Sequence, residues 1–192
     1  MLSAILMILA GFVVIGLIIV ANAYFVAQEF SFMSVDRTQL RSQAAEGDKT
    51  AQRALAITQQ TSFMLSGAQL GITITGLLIG YVAEPLVGQG LGVLLGGVGV
   101  PSAVSITVGT ILALFISTIA TMLFAELFPK NYTIAAPMKT ARWLASSTQL
   151  YLRLFGWLIH FFEYSSNAIL KVFGIEPVED CLLYTSPSPR DS

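Results

Sequence analysis

The chain has 192 residues, of which 55% are hydrophobic and 11% charged, with a formal net charge of −1 and a mean hydropathy of +0.75. That balance excludes an ordinary soluble domain and points to a polytopic membrane protein; the net charge carries no sign of nucleic acid, and none is expected as a partner. A single cysteine and a single histidine exclude a disulfide scaffold, a Cys/His zinc site and a His-based catalytic triad, so the expectation is that the chain is not an enzyme.

Leu2 to Ala21 is an uncharged apolar run, and about 20 such residues cross the hydrocarbon core as a helix. The run continues to Phe32. Ala21-Asn22-Ala23 resembles a signal-peptidase site, but no basic flank precedes it and the apolar stretch is too long for a signal core, so a retained first helix is expected. Asn22 and Glu29 lie seven residues apart, on nearly one helical face, with Gln28 beside them. Such groups should face protein. Glu29 either marks the exit from the membrane or takes part in ion binding.

Residues 34–61 change character: Asp36, Arg37, Arg41, Glu46, Asp48, Lys49 and Arg53 are scattered among Ala, Leu and Gln. This reads as a solvated, amphipathic cytoplasmic loop of two short helices that break at Gly47-Asp48. Phe63 to Ala83 is the second span. Ser66, Gln69 and Thr73 recur at spacings of three and four and share one face, while Thr75 and the glycines at 67, 71, 76 and 80 allow close helix approach. These polar groups serve either as glue between packed helices or as oxygens lining an ion path. Glu84 to Pro101, with six glycines and two prolines, reads as a loop or re-entrant cap.

Ser102 to Phe128 is the third span, with Ser117, Thr118 and Thr121 preceding Glu126. A carboxylate inside a membrane segment costs about 2.5–3.5 kcal/mol on insertion scales, which makes Glu126 a functional candidate. Pro129 cannot donate to the carbonyl of Ala125, so the backbone beside Glu126 is expected to be distorted, with a freed carbonyl. A carboxylate beside a free carbonyl suits a hard cation. The alternative is that Glu126 pairs with Lys130 at the membrane surface while Pro129 ends the helix.

Lys and Arg set the orientation. Four lie between spans one and two, none between spans two and three, and five between Lys130 and Lys171. The N-terminus is therefore expected outside and the C-terminus in the cytoplasm. A fourth crossing within residues 141–173 would have to carry Arg153, His160 and Glu163 and would reverse that end. This stretch reads instead as a juxtamembrane belt helix in the inner interface, with Trp143, Tyr151, Trp157 and Tyr164 as interfacial aromatics. The expected fold is thus all-α, with a three-span core over residues 1–140, the belt helix over 141–173 and a linker over 174–180. The tail, residues 181–192, matches the translation of a constant adapter used in transposon-made sequencing libraries, so the reading frame is expected to continue past Asp180.

Three stretches together resemble one family: Asn22-Ala-Tyr-Phe-Val-Ala-Gln-Glu-Phe, Leu65-Ser-Gly-Ala-Gln-Leu-Gly-Ile-Thr and Phe124-Ala-Glu-Leu-Phe-Pro-Lys. In order and spacing they are similar to the transmembrane domain of the CorC/CNNM magnesium transport proteins, including bacterial hemolysin-like members, over about residues 1–180. The resemblance implies a homodimer in the lipid bilayer, Mg²⁺ or another divalent cation as the transported ion, and a cytoplasmic CBS pair after the linker that binds adenine nucleotide. It places Glu126 as the acidic ligand and Ser66 beside it; Gln69, Thr73, Asn22 and Glu29 complete the expected set. Many members carry a serine where this chain has Val26 and asparagines at the positions of Ile72 and Gly76. Those oxygens are missing here; either Gln69, Thr73 and Thr75 replace them, or the site keeps more of the ion's water or favours a cation other than Mg²⁺. The competing function is a membrane-anchored regulatory or scaffold module whose intramembrane polar residues serve only dimer packing.

Overall fold

A computed structural model of the chain describes residues 2–97 and 101–174. The described residues form α1 (Leu2–Ser34), α2 (Arg37–Ala45), α3 (Lys49–Thr58), α4 (Thr61–Val82), a π-helical segment π1 (Ala83–Gly88), α5 (Gln89–Gly96), α6 (Ser102–Ala120), a second π-helical segment π2 (Thr121–Leu127), α7 (Phe128–Ala135) and α8 (Pro137–Val172). Three stretches among them are long and apolar enough to cross a membrane: Ile5–Ser34, Thr61–Gly96 and Val104–Ala135. The protein is therefore an all-α membrane protein with the three expected spans. The linker beyond Gly174 and the tail lie outside the described residues.

The chain divides into two compact units, Met1–Phe30 with Gln69–Ala136, and Ser31–Ala68 with Pro137–Ser192. In the first unit Ile15 and Ile19 of α1, Ile79 of α4, Val87 of π1, Ala113 of α6 and Ala125 of π2 form a buried apolar cluster. Large apolar side chains such as Leu17, Leu77 and Phe115 remain more than 60% exposed, as lipid-facing positions must be when the solvent is hydrocarbon.

The expected loop after span two is helical as far as Gly96, and the glycines explain why. A Cβ at Gly109 would stand 2.6 Å from the Gly88 carbonyl oxygen and 2.7 Å from the Gly92 nitrogen, and one at Gly92 would stand 3.0 Å from the Ile106 Cα. Backbones of α5, π1 and α6 thus pack directly on one another, and small residues are what allows that approach. Glycines that look like helix breakers in the sequence are contact surfaces.

In the second unit Asp36 and Asp48 cap the starts of α2 and α3, each accepting two backbone N–H bonds. The helices part at Gly47, whose φ of +94° favours glycine. The second Asp48 oxygen accepts from Arg142 of α8, which also donates to Gln43. The backbone N–H groups of Ala51 and Thr50, together with Arg142, hold the Asp48 carboxyl below the ordinary aspartate range. Tyr151 of α8 donates to the Gly67 carbonyl at 2.9 Å, and His160 stacks on Phe63 with ring centroids 4.4 Å apart. α8 is one continuous helix and is not among the stretches apolar enough to span.

Candidate functional site

The third membrane stretch changes hydrogen-bond register where the sequence places Glu126. α6 runs to Ala120, π2 comes next, and α-helix resumes at Phe128. Pro129 sits in the first turn of α7, where a missing N–H costs least. It does not end the helix. It has no N–H to give to Ala125 in an α turn or to Phe124 in a π turn.

Glu126 lines a cavity of about 380 Å³ in the first unit, together with the hydroxyl-bearing Ser117, Thr118 and Thr121. The α4 side of the wall is Gly76, Ile79 and Gly80. The Thr118 hydroxyl donates to the Leu114 carbonyl at 2.7 Å, which leaves its oxygen able to accept. The Thr121 hydroxyl is buried and has no hydrogen-bond partner among the described residues. A buried unpaired hydroxyl costs about 1–3 kcal/mol, so its presence calls for a ligand or a function. Among the described residues no three His, Cys, Asp or Glu side chains gather as a metal cluster. A cation here would therefore be held by one carboxylate, hydroxyl and carbonyl oxygens, and water.

The other expected site residues lie elsewhere. Asn22 is buried and donates to the Ile72 carbonyl at 3.4 Å, while its side-chain oxygen has no partner among the described residues. Gln69 hydrogen-bonds the Glu29 carboxylate, and Lys130 lies within electrostatic reach of that carboxylate. The Lys130 ammonium stands 4.8 Å from the centroid of the Phe30 ring. Lys130 faces Phe30, and Glu126 takes part in no ion pair among the described residues. Thr73 is exposed on α4, and Ser66 belongs to the second unit. Of the six expected residues, only Glu126 lines the cavity. Gly76 and Gly80, packing positions on the sequence reading, stand with Ile79 at i, i+3 and i+4 on one helical face, the one signal that could have placed them on a shared wall.

Fold and site together define a polytopic helical membrane domain with an intramembrane carboxylate at a π-helical distortion. The chain belongs to the CNNM family: it matches the cyclin M transmembrane N-terminal domain over residues 12–187, a range that includes part of the tail with the adapter-like sequence. It is 38% identical over 164 residues to the uncharacterized protein Rv1841c of Mycobacterium tuberculosis, covering 85% of this chain and 46% of that protein. It is also 38% identical over 170 residues to the UPF0053 protein MT1890 of Mycobacterium tuberculosis, covering 87% and 36%. With the UPF0053 protein YhdT of Bacillus subtilis the identity is 29% over 168 residues, covering 88% and 36%. The chain spans less than half the length of these curated relatives.

Proposed function

We propose that this domain moves a divalent cation, with Mg²⁺ the leading candidate substrate, out of the cell through the cavity at Glu126. The observation that carries the proposal is the conjunction of one carboxylate, three hydroxyls, one of them unpartnered, and a π-helical turn followed by a proline without an N–H, around one cavity. Six waters at about 30 Å³ each occupy about 180 Å³, so a cavity of about 380 Å³ has room for a largely hydrated ion. That suits Mg²⁺, which prefers octahedral oxygen and gives up its water reluctantly. Gly76, at a position where many family members carry asparagine, adds no side chain to the wall and leaves that room to water. Asn22, Glu29, Gln69 and Thr73 serve as access or auxiliary groups in this scheme.

The working unit is a homodimer in a bacterial inner membrane, N-terminus outside, with α8 lying in the cytoplasmic interface. Its stripe of Trp143, Leu150, Leu154, Trp157, Phe161 and Tyr164, all more than 55% exposed, supports that placement, since such a face favours the headgroup boundary.

The test is Mg²⁺ efflux from loaded vesicles. E126Q should keep the oligomeric state and elution profile of the wild type and lose efflux. A correctly assembled E126Q protein with unchanged efflux would overturn transport through this site and favour the scaffold function.

A further inference from the structure

α8 presents three longitudinal faces. Ala141, Leu144, Ala145, Leu152 and Ile159 are buried, and the exposed apolar stripe through Trp143 and Trp157 lies opposite. Between them runs an edge of Arg142, Ser146, Gln149 and Arg153, spaced four, three and four residues apart. Arg142 is held by Asp48 and Gln43, and Ser146 accepts from Arg53 at 2.9 Å. Arg153 differs: it makes no hydrogen bond or ion pair with any described residue. It lines a cavity of about 310 Å³ with Gln149, Gln60, Ile57, Phe63 and Leu152.

We propose that this cavity holds the phosphate of an anionic phospholipid headgroup. The proposal rests on the interfacial placement of α8 given above. Three observations carry it. First, Gln60 and Phe63 flank Thr61, where the second membrane stretch begins, so the cavity stands at the level where the chain enters the bilayer and where headgroups are found. Second, its lining pairs an unmatched guanidinium and two amide donors with an apolar wall of Ile57, Phe63 and Leu152. A planar guanidinium grips phosphate through two parallel N–H bonds, the amides add donors, and the apolar wall suits the first methylenes of an acyl chain. Third, the described residues of this unit, 31–68 and 137–174, hold eight Lys or Arg against four Asp or Glu, a field that draws anionic lipid to a juxtamembrane surface.

Detergent-purified full chain is titrated with water-soluble dihexanoylphosphatidylglycerol, dihexanoylphosphatidylcholine and inorganic phosphate, and binding is read by native mass spectrometry. The wild type should prefer the phosphatidylglycerol, and R153Q should bind it about ten-fold or more weakly, as loss of a charged hydrogen-bond pair requires. R153K should recover part of the loss. K139Q, which removes an exposed cation outside this cavity, should bind as the wild type does. Equal binding of the two lipids, an R153Q protein that binds as the wild type, an equal loss in K139Q, or displacement by inorganic phosphate at matched concentration would each overturn the headgroup site. Quenching of Trp143 and Trp157 fluorescence by brominated lipids in proteoliposomes reports separately on α8. Absent quenching removes the interfacial placement itself, whereas normal quenching with headgroup-independent binding removes only the phosphate site.

Discussion

Replacing Gly109 by alanine isolates the contribution of backbone contact in the first unit. The added methyl would meet the Gly88 carbonyl oxygen at 2.6 Å, the Gly92 nitrogen at 2.7 Å and the Gly92 Cα at 3.1 Å. All three are main-chain atoms, so no side-chain rotation relieves the clash and α6 must move away from π1 and α5. Overpacking of this kind costs about 1–3 kcal/mol, partly offset by the roughly 0.5–1 kcal/mol that alanine gains over glycine within a helix. Gly16→Ala supplies the reference: it also lies inside a long helix, and its Cβ would meet nothing within 4 Å. The helix gain largely cancels between the two variants, so G109A should be less stable than G16A by about 1–3 kcal/mol. Stability would be measured by detergent-induced unfolding in mixed micelles, followed by far-UV circular dichroism. Because α6 carries Ser117 and Thr118 into the cavity wall, G109A should also slow the proposed Mg²⁺ efflux. G109A and G16A unfolding together would refute the direct backbone packing of α6 on α5 and π1.

Thr121→Val removes a buried unpaired hydroxyl at nearly constant volume, so stability should hold or rise by up to about 3 kcal/mol while the proposed efflux falls. A variant with wild-type efflux would remove Thr121 from the site. The lowered Asp48 pKa means that the folded form binds fewer protons than the unfolded chain near the ordinary aspartate value. The stabilisation from ionised Asp48 is therefore fully present above about pH 4 and is lost as pH falls through the folded value. Asp48→Asn keeps a capping side chain but should flatten that acid dependence in a pH series of unfolding curves; an unchanged acid limb would contradict the assignment. Tyr151→Phe deletes the 2.9 Å bond to the Gly67 carbonyl and should cost about 0.5–1.5 kcal/mol, measured by the same unfolding assay.

The features legible from sequence were those governed by local chemistry. Apolar run length alone set the three spans, because a helix must cover the hydrocarbon thickness. Gly47-Asp48 marked a helix boundary because the first residue tolerates positive φ and the second caps the start of α3. Pro129 foretold a distorted backbone beside Glu126, since a residue without an N–H disturbs the carbonyls one turn back wherever it lies in a helix. The sequence resemblance likewise anticipated the family that the whole-chain match shows.

Tertiary structure decided everything that depended on which face meets which. The glycines of residues 84–96 read locally as breakers, yet helix persists because backbone approach to α6 outweighs their intrinsic cost. Lys130, four residues from Glu126, turns instead to the Phe30 ring, a choice that spacing along one helix cannot make. Gly76 and Gly80 became cavity wall, while Asn22, Gln69 and Thr73 took up positions away from it. Arg142 reached Asp48 across 94 residues of chain. Each of these outcomes turns on distances between segments remote in sequence, whereas periodicity specifies only the direction in which a side chain leaves its own helix.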